Sequence, residues 1–216
     1  MSERPRLVVL ISGSGSNLQA FIDQSASGEL PAEIAAVIAN KPDARGLQRA
    51  EQAGIPALCV PHTQFPDRES FDAKLAECID QFAPDLVILA GFMRILTPGF
   101  VNRFAGRLLN IHPSLLPKYP GLHTHQRAID AGDSEAGATV HYVTAELDGG
   151  PPVLQARVTV EHGESAETLA AKVLEKEHII YPLAARWIVE GKLKLTADGP
   201  EFNGQPIPAD GLNWPL

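Results

Sequence analysis

Between Leu109 and Pro117 the chain reads Leu-Asn-Ile-His-Pro-Ser-Leu-Leu-Pro, and two of these residues can handle an oxyanion and a proton. If the stretch up to His112 ends a strand, alternate residues share a face, so Asn110 and His112 project together from its carboxyl end. Two polar side chains leaving an apolar strand on one side are costly unless they are satisfied or used. A carboxamide N–H can donate to a developing oxyanion. An imidazole, with an ordinary pKa of about 6.5, exchanges a proton near neutral pH. A carboxylate beside it would hold the ring's orientation and favour its charged form. Asp148, on the connection Leu147-Asp148-Gly149-Gly150, is the candidate. Asp-Gly is also a common turn pair, and a buried histidine is often a structural one, so neither residue decides the matter alone.

A second segment points to an anion. Ser12-Gly13-Ser14-Gly15-Ser16-Asn17 follows an apolar run and opens an amphipathic one. Glycines permit positive φ and close backbone approach, and the first N–H groups of a helix point outward unpaired. Together they cradle a phosphate, with Ser16 and Asn17 as further donors; the same spacing also serves a tight strand-to-helix turn with a Ser/Asn cap. A dinucleotide site fits less well, because Leu18 stands where a third glycine belongs and Ala39-Asn40-Lys41 offers no acid for a ribose. No Gly-Lys-Ser/Thr follows, so it is not a P-loop. There is no Gly-x-Ser-x-Gly elbow, and neither Cys59 nor Cys78 has a reactive motif around it. His123-x-His125 lacks the companions of a metal site, so no metal is expected.

These segments need a scaffold that presents strand ends. Apolar runs at Leu7–Ile11, Ile34–Ala39, Ala57–Val60, Leu86–Ala90 and Arg107–His112 alternate with helical patterns near Asn17–Ser25, Arg45–Ala53 and within Arg68–Phe82. That alternation predicts a single-domain α/β fold with a mostly parallel open sheet flanked by helices, the strands covered on both faces. Ligands in such sheets bind outside the carboxyl ends of the strands, which selects Gly13–Asn17, Gly91–Leu96 and Asn110 onward. Ala138–Val143 and Pro152–Val160 predict an antiparallel hairpin, and Ser165–Glu190 a long helix. The Gly- and Pro-rich tail from residue 191 to 216 is expected to be irregular, leaving residues 1–190 as the working domain.

Composition narrows the partners. A formal net charge of −8 argues against nucleic acid or an anionic membrane, both of which reward a basic face. Two cysteines without a framework suit a reducing, cytoplasmic setting, and the five-residue apolar run after the polar start is too short for a signal or a span.

The residues Leu10-Ile-Ser-Gly-Ser-Gly-Ser-Asn-Leu, Ala90-Gly-Phe-Met-Arg-Ile-Leu, Leu109 through Lys118-Tyr-Pro-Gly-Leu-His and Glu146-Leu-Asp-Gly-Gly-Pro, in this order, resemble the phosphoribosylglycinamide formyltransferase family, folate-dependent enzymes of purine biosynthesis. The resemblance runs from about Leu7 to Trp187. It implies a Rossmann-like formyltransferase fold, and 10-formyltetrahydrofolate and glycinamide ribonucleotide as the reacting pair. It further implies Asn110, His112 and Asp148 as the catalytic trio, with Gly15, Ser16 and Asn17 on the substrate phosphate. Glu177 would contact the ribose or amide side. Arg68, Met93, Arg94, Ile95 and Leu96, with Asn110 and Ala145, Glu146, Leu147 and Asp148, would line the folate pocket. One departure is visible: Ser14 stands where many members carry Asn. The trio would also serve a formyltetrahydrofolate hydrolase, in which water replaces the amine, and the glycine turn alone would serve a non-catalytic phosphate-binding module.

Overall fold

The computed structural model describes residues 3–216, and the chain divides into two compact units, residues 1–109 and 110–216. In the first unit, β1 (Arg6–Ile11), β2 (Glu33–Ala39), β3 (Ala57–Cys59) and β4 (Leu86–Leu89) run parallel in the order β4-β1-β2-β3. Helices α1 (Ser16–Ser27), α2 (Gly46–Gln52), α3 (Arg68–Asp80) and α4 (Pro98–Arg103) complete it. Leu7 through Ile11 and Ala36 through Ala39 are fully buried, as continuous apolar strands in a parallel sheet must be. Asp67 caps α3 by accepting from the Ser70 N–H at 2.7 Å, and that hydrogen bond holds its carboxyl below the usual carboxylate range.

In the second unit the strand order is β5-β6-β7-β11, with β5 at Leu108–His112, β6 at Glu135–Tyr142, β7 at Pro152–Thr159 and β11 at Leu212–Trp214. The expected hairpin is present: β6 and β7 pair antiparallel, and β6 starts three residues before the apolar run that announced it, at Glu135. Helix α6 (Ala166–Val189) buries Leu169, Val173, Ile180, Ala184 and Trp187, a stripe at helical spacing. A shorter helix, α5 (Thr124–Asp130), precedes β6.

The tail corrects the sequence reading. Residues 191–216 are not irregular: β8 (Leu193–Thr196), β9 (Gly199–Phe202) and β10 (Gln205–Pro206) form a separate antiparallel sheet, and β11 pairs parallel with β7. Two of the glycines that suggested irregularity, Gly199 and Gly204, border the turns of this sheet. Asn203 and Gly204 both take positive φ, 50° and 76°, the requirement of a tight primed hairpin turn. Phe202 packs on Trp187 of α6, ring centroids 4.5 Å apart, which ties the small sheet to the helix.

Candidate active site

In the first unit the glycine turn opens α1 with the leading N–H groups outside the intrahelical ladder. Gly15 sits at the head of α1 with φ 73° and no side chain caps the helix, so the first intrahelical bond is Gln19 N–H to Gly15 O. The N–H groups of Ser16, Asn17 and Leu18 precede that bond, as donors to an anion must. Glycine is obligatory at this position. A Cβ there would lie 2.8 Å from the Gly46 Cα, and the positive φ disfavours any other residue. The turn is held from behind by Arg49, whose Nε donates to Ser14 O at 2.7 Å and whose Nη1 reaches Gln19 Oε1 at 3.2 Å. Arg49 holds the Ser14 carbonyl and the Ser14 side chain is exposed, so the backbone of the turn does not depend on the side chain at residue 14.

The loop after β4 starts at Gly91, φ 71°, and carries Met93 and Ile95 with large apolar side chains 64% and 52% exposed, while Leu96 is buried. Arg94 lays its guanidinium 4.7 Å from the centroid of Phe71, and its Nε is buried with no partner. Arg68 is the exposed first residue of α3.

In the second unit β5 presents Asn110 and His112 on one face, as the alternation required. His112 is 5% exposed, and both of its ring nitrogens meet acceptors. Nε2 lies 2.7 Å from the Tyr119 carbonyl, and Nδ1 lies 3.5 Å from Asp148 Oδ2. A carbonyl only accepts, so Nε2 carries a proton, while Asp148 faces Nδ1 at ion-pair distance. Asp148 is itself fixed: it takes φ 52° and its Oδ2 accepts the Gly121 N–H at 2.9 Å. The structure therefore brings His112 and Asp148 together across 36 residues of sequence.

The fourth member of the cluster was not read from the sequence. His141 on β6 is buried, and its Nδ1 lies 2.9 Å from the Tyr142 carbonyl, which requires a proton on Nδ1. Its Nε2 then carries the lone pair, and Asn110 Nδ2 donates to it at 3.3 Å. Burial pushes the His141 pKa down, so the ring stays neutral and keeps that lone pair. The Asn110 amide is thereby oriented, with one N–H spent on His141. The alternation test that selected Asn110 and His112 also selects Thr139 and His141, two polar residues among Ala138, Val140 and Tyr142 of β6. Thr139 Oγ1 donates to Ser114 O at 2.7 Å and accepts from Leu116 N at 3.1 Å, and Gln155 Nε2 donates to Leu116 O at 2.9 Å. These bonds hold the loop that follows His112.

Ala145, Glu146 and Leu147 lie exposed on the β6–β7 connection, Leu147 at 57%. Gly150 ends that connection where a Cβ would fall 1.7 Å from the Tyr142 carbonyl. Glu177 lies buried on α6. No described helix is long and apolar enough to cross a membrane.

Known proteins share this sequence and fold. Residues 5–185 match the formyl transferase family. The chain is 53% identical over 205 residues to the phosphoribosylglycinamide formyltransferase of Escherichia coli strain K12, covering 95% of this chain and 97% of that protein. It is 50% identical over 206 residues to the Haemophilus influenzae protein of the same name, with 95% and 97% covered. Among solved structures, the phosphoribosylglycinamide formyltransferase of Coxiella burnetii superposes with a TM-score of 0.94 at 48% identity, over 99% of this chain and 100% of that one.

Proposed function

The chain belongs to the formyl transferase family, and from that premise we propose that it transfers a formyl group from 10-formyltetrahydrofolate to the amine of glycinamide ribonucleotide, in cytoplasmic purine biosynthesis and without a metal ion. The observation that carries the reading is the cluster of buried His112 and His141 with half-buried Asn110 and Asp148. A phosphate binder has no use for an oriented amide donor beside a histidine–carboxylate pair, whereas acyl transfer through a tetrahedral intermediate needs both.

In this mechanism the free amine of the ribonucleotide attacks the formyl carbon, and the carbonyl oxygen becomes an oxyanion. The second N–H of Asn110 and the protonated ring of His112 stabilise that oxyanion, while Asp148 supports the charge on the ring. The Nε2–H that donates to the Tyr119 carbonyl is the proton for which the oxyanion, a stronger acceptor, competes. A proton moves from the attacking nitrogen to the departing folate nitrogen as the intermediate collapses. Gly15, Ser16 and Asn17 hold the ribonucleotide phosphate, and Glu177 its ribose or amide side. For the folate, Met93 and Ile95 of the first unit expose large apolar side chains that an aromatic ring system would cover; the family resemblance adds Arg68, Arg94 and Leu96 in that unit and Ala145, Glu146 and Leu147 in the second. Binding both substrates supplies the orientation term. All of these residues lie within 1–190, which we take as the catalytic region.

The test follows folate absorbance while protein, 10-formyltetrahydrofolate and glycinamide ribonucleotide are mixed, each substrate omitted in turn. Turnover that requires both substrates is the expected result. Folate loss without the ribonucleotide would replace the reading by a hydrolase, and no loss in any mixture by a binding module.

A further inference from the structure

One buried hydrogen-bond chain in the first unit has no part in the mechanism above. Ser12, the last residue before the glycine cradle, is 5% exposed, and its neighbour Asn40, just past β2, is 1% exposed. The Ser12 hydroxyl donates to Asn40 Oδ1 at 2.6 Å. A hydroxyl has one proton, so only its lone pairs remain, and one of them accepts the Met93 N–H at 2.8 Å. The Asn40 backbone is held as well: its N–H donates to Ile11 O at 3.4 Å, and His62 Nδ1 lies 3.0 Å from its backbone carbonyl and 3.3 Å from its side-chain Nδ2. Four residues beyond Met93, the Thr97 N–H donates to Oδ2 of buried Asp72 at 2.7 Å. The loop from Gly91 to Thr97 is thus pinned at two backbone amides while the side chains of Met93 and Ile95 between them stay exposed.

We propose that Ser12 is a positioning residue that fastens the 91–97 loop to the phosphate cradle, so that one strand end sets the placement of both substrates' binding loops. The proposal rests on the reading that this loop contacts the folate. Sequence explains the choice of residue: the site needs a short side chain that donates in one direction and accepts from a backbone N–H in the other. Alanine does neither, and its substitution leaves Asn40 Oδ1 without that partner in the interior and removes the acceptor of the half-buried Met93 N–H.

The experiment is Ser12→Ala, read by steady-state kinetics in both substrates and by amide exchange of Met93. The folate KM is expected to rise about tenfold, the effect of one lost buried hydrogen bond, with the ribonucleotide KM within about twofold of the parent. The Met93 amide should lose its protection. Ile95→Ala runs alongside. If it leaves the folate KM unchanged, the pocket reading fails; if it raises that KM while Ser12→Ala does not, the Ser12 proposal alone fails. Parallel rises in both KM values after Ser12→Ala would mean general damage and would also overturn it. Should Ser12→Ala not fold, the parent protein still decides: its Met93 amide must exchange at least about tenfold more slowly than those of Arg94 and Ile95, and equal rates refute the fastening.

Discussion

Replacing Asp148 by Asn removes a charge from beside His112 while leaving the shape almost unchanged. The carboxylate oxygen and Nδ1 are 3.5 Å apart, and both side chains are only 7% exposed. At that distance two unit charges attract by roughly 5 kcal/mol for an effective dielectric of about 20. The carboxamide keeps an oxygen for the Gly121 N–H and part of the dipole facing the ring, so roughly half of that attraction should be lost. About 2–3 kcal/mol in the transition state corresponds to roughly a hundredfold in rate. The assay is a single-turnover measurement of folate absorbance with both substrates saturating, together with calorimetric titration of the ribonucleotide. The rate is expected to fall by about 10² with ribonucleotide affinity nearly unchanged. A rate within about threefold of the parent would refute the electrostatic role of Asp148. An equal loss in affinity would show that the 119–121 loop, and not the chemistry, depends on the carboxylate.

His141→Ala should lower kcat about tenfold with little change in either KM, because Asn110 loses the acceptor that orients its amide; steady-state kinetics decide, and an unchanged kcat would remove His141 from the site. Burial lowers the His141 pKa in the folded chain, so the unfolded chain binds its proton first as pH falls through about 6.5. This residue should therefore cost stability on acidification from there down to its folded pKa, by at most about 1.4 kcal/mol per pH unit; denaturant titrations of the parent and His141→Asn should differ in that slope, and identical slopes would contradict the assignment. Gly15→Ala should raise the ribonucleotide KM at least about tenfold, since the Cβ meets Gly46 at 2.8 Å and φ is 73°; a silent substitution would mean that the cradle is not the phosphate site. Thr139→Val should destabilise the protein by about 1–3 kcal/mol in chemical denaturation, because Leu116 N loses its acceptor in the interior; no loss would mean that water replaces the hydroxyl.

The first unit was legible because its elements announce themselves locally. Leu7–Ile11 and Leu86–Leu89 are unbroken apolar strands, and Gly15 marks the positive φ before α1. Helices α4 and α5 were not read: α4 opens on Pro98-Gly99, which reads as a turn, and α5 buries only Thr124 and Ala128, too small to mark an apolar stripe. In the second unit the Asn110–His112 pair was readable from strand alternation, but its contact with Asp148 is a long-range event that spacing cannot reveal. His141 could have been found, since Thr139 and His141 break the apolar run of β6 in the same way. The tail was misread because Asn203-Gly204 was counted as composition and not as a hairpin turn. Arg49 carries no local signal at all, since a helical arginine looks the same whether it faces water or a carbonyl 35 residues away.

Strand β11 has a consequence for association between molecules. β7 is eight residues long, and an uncovered edge of that length offers a row of backbone donors and acceptors to any passing extended chain. β11 occupies that edge from Leu212 to Trp214 and is itself only three residues long, with Pro215, which has no N–H, directly after it. In the first unit β3, the last strand in the order, is likewise three residues long. Both terminal strands are thus too short to template a neighbour. Trimming the chain before Leu212 would uncover β7, and the expected symptom is self-association at high concentration before any loss of turnover.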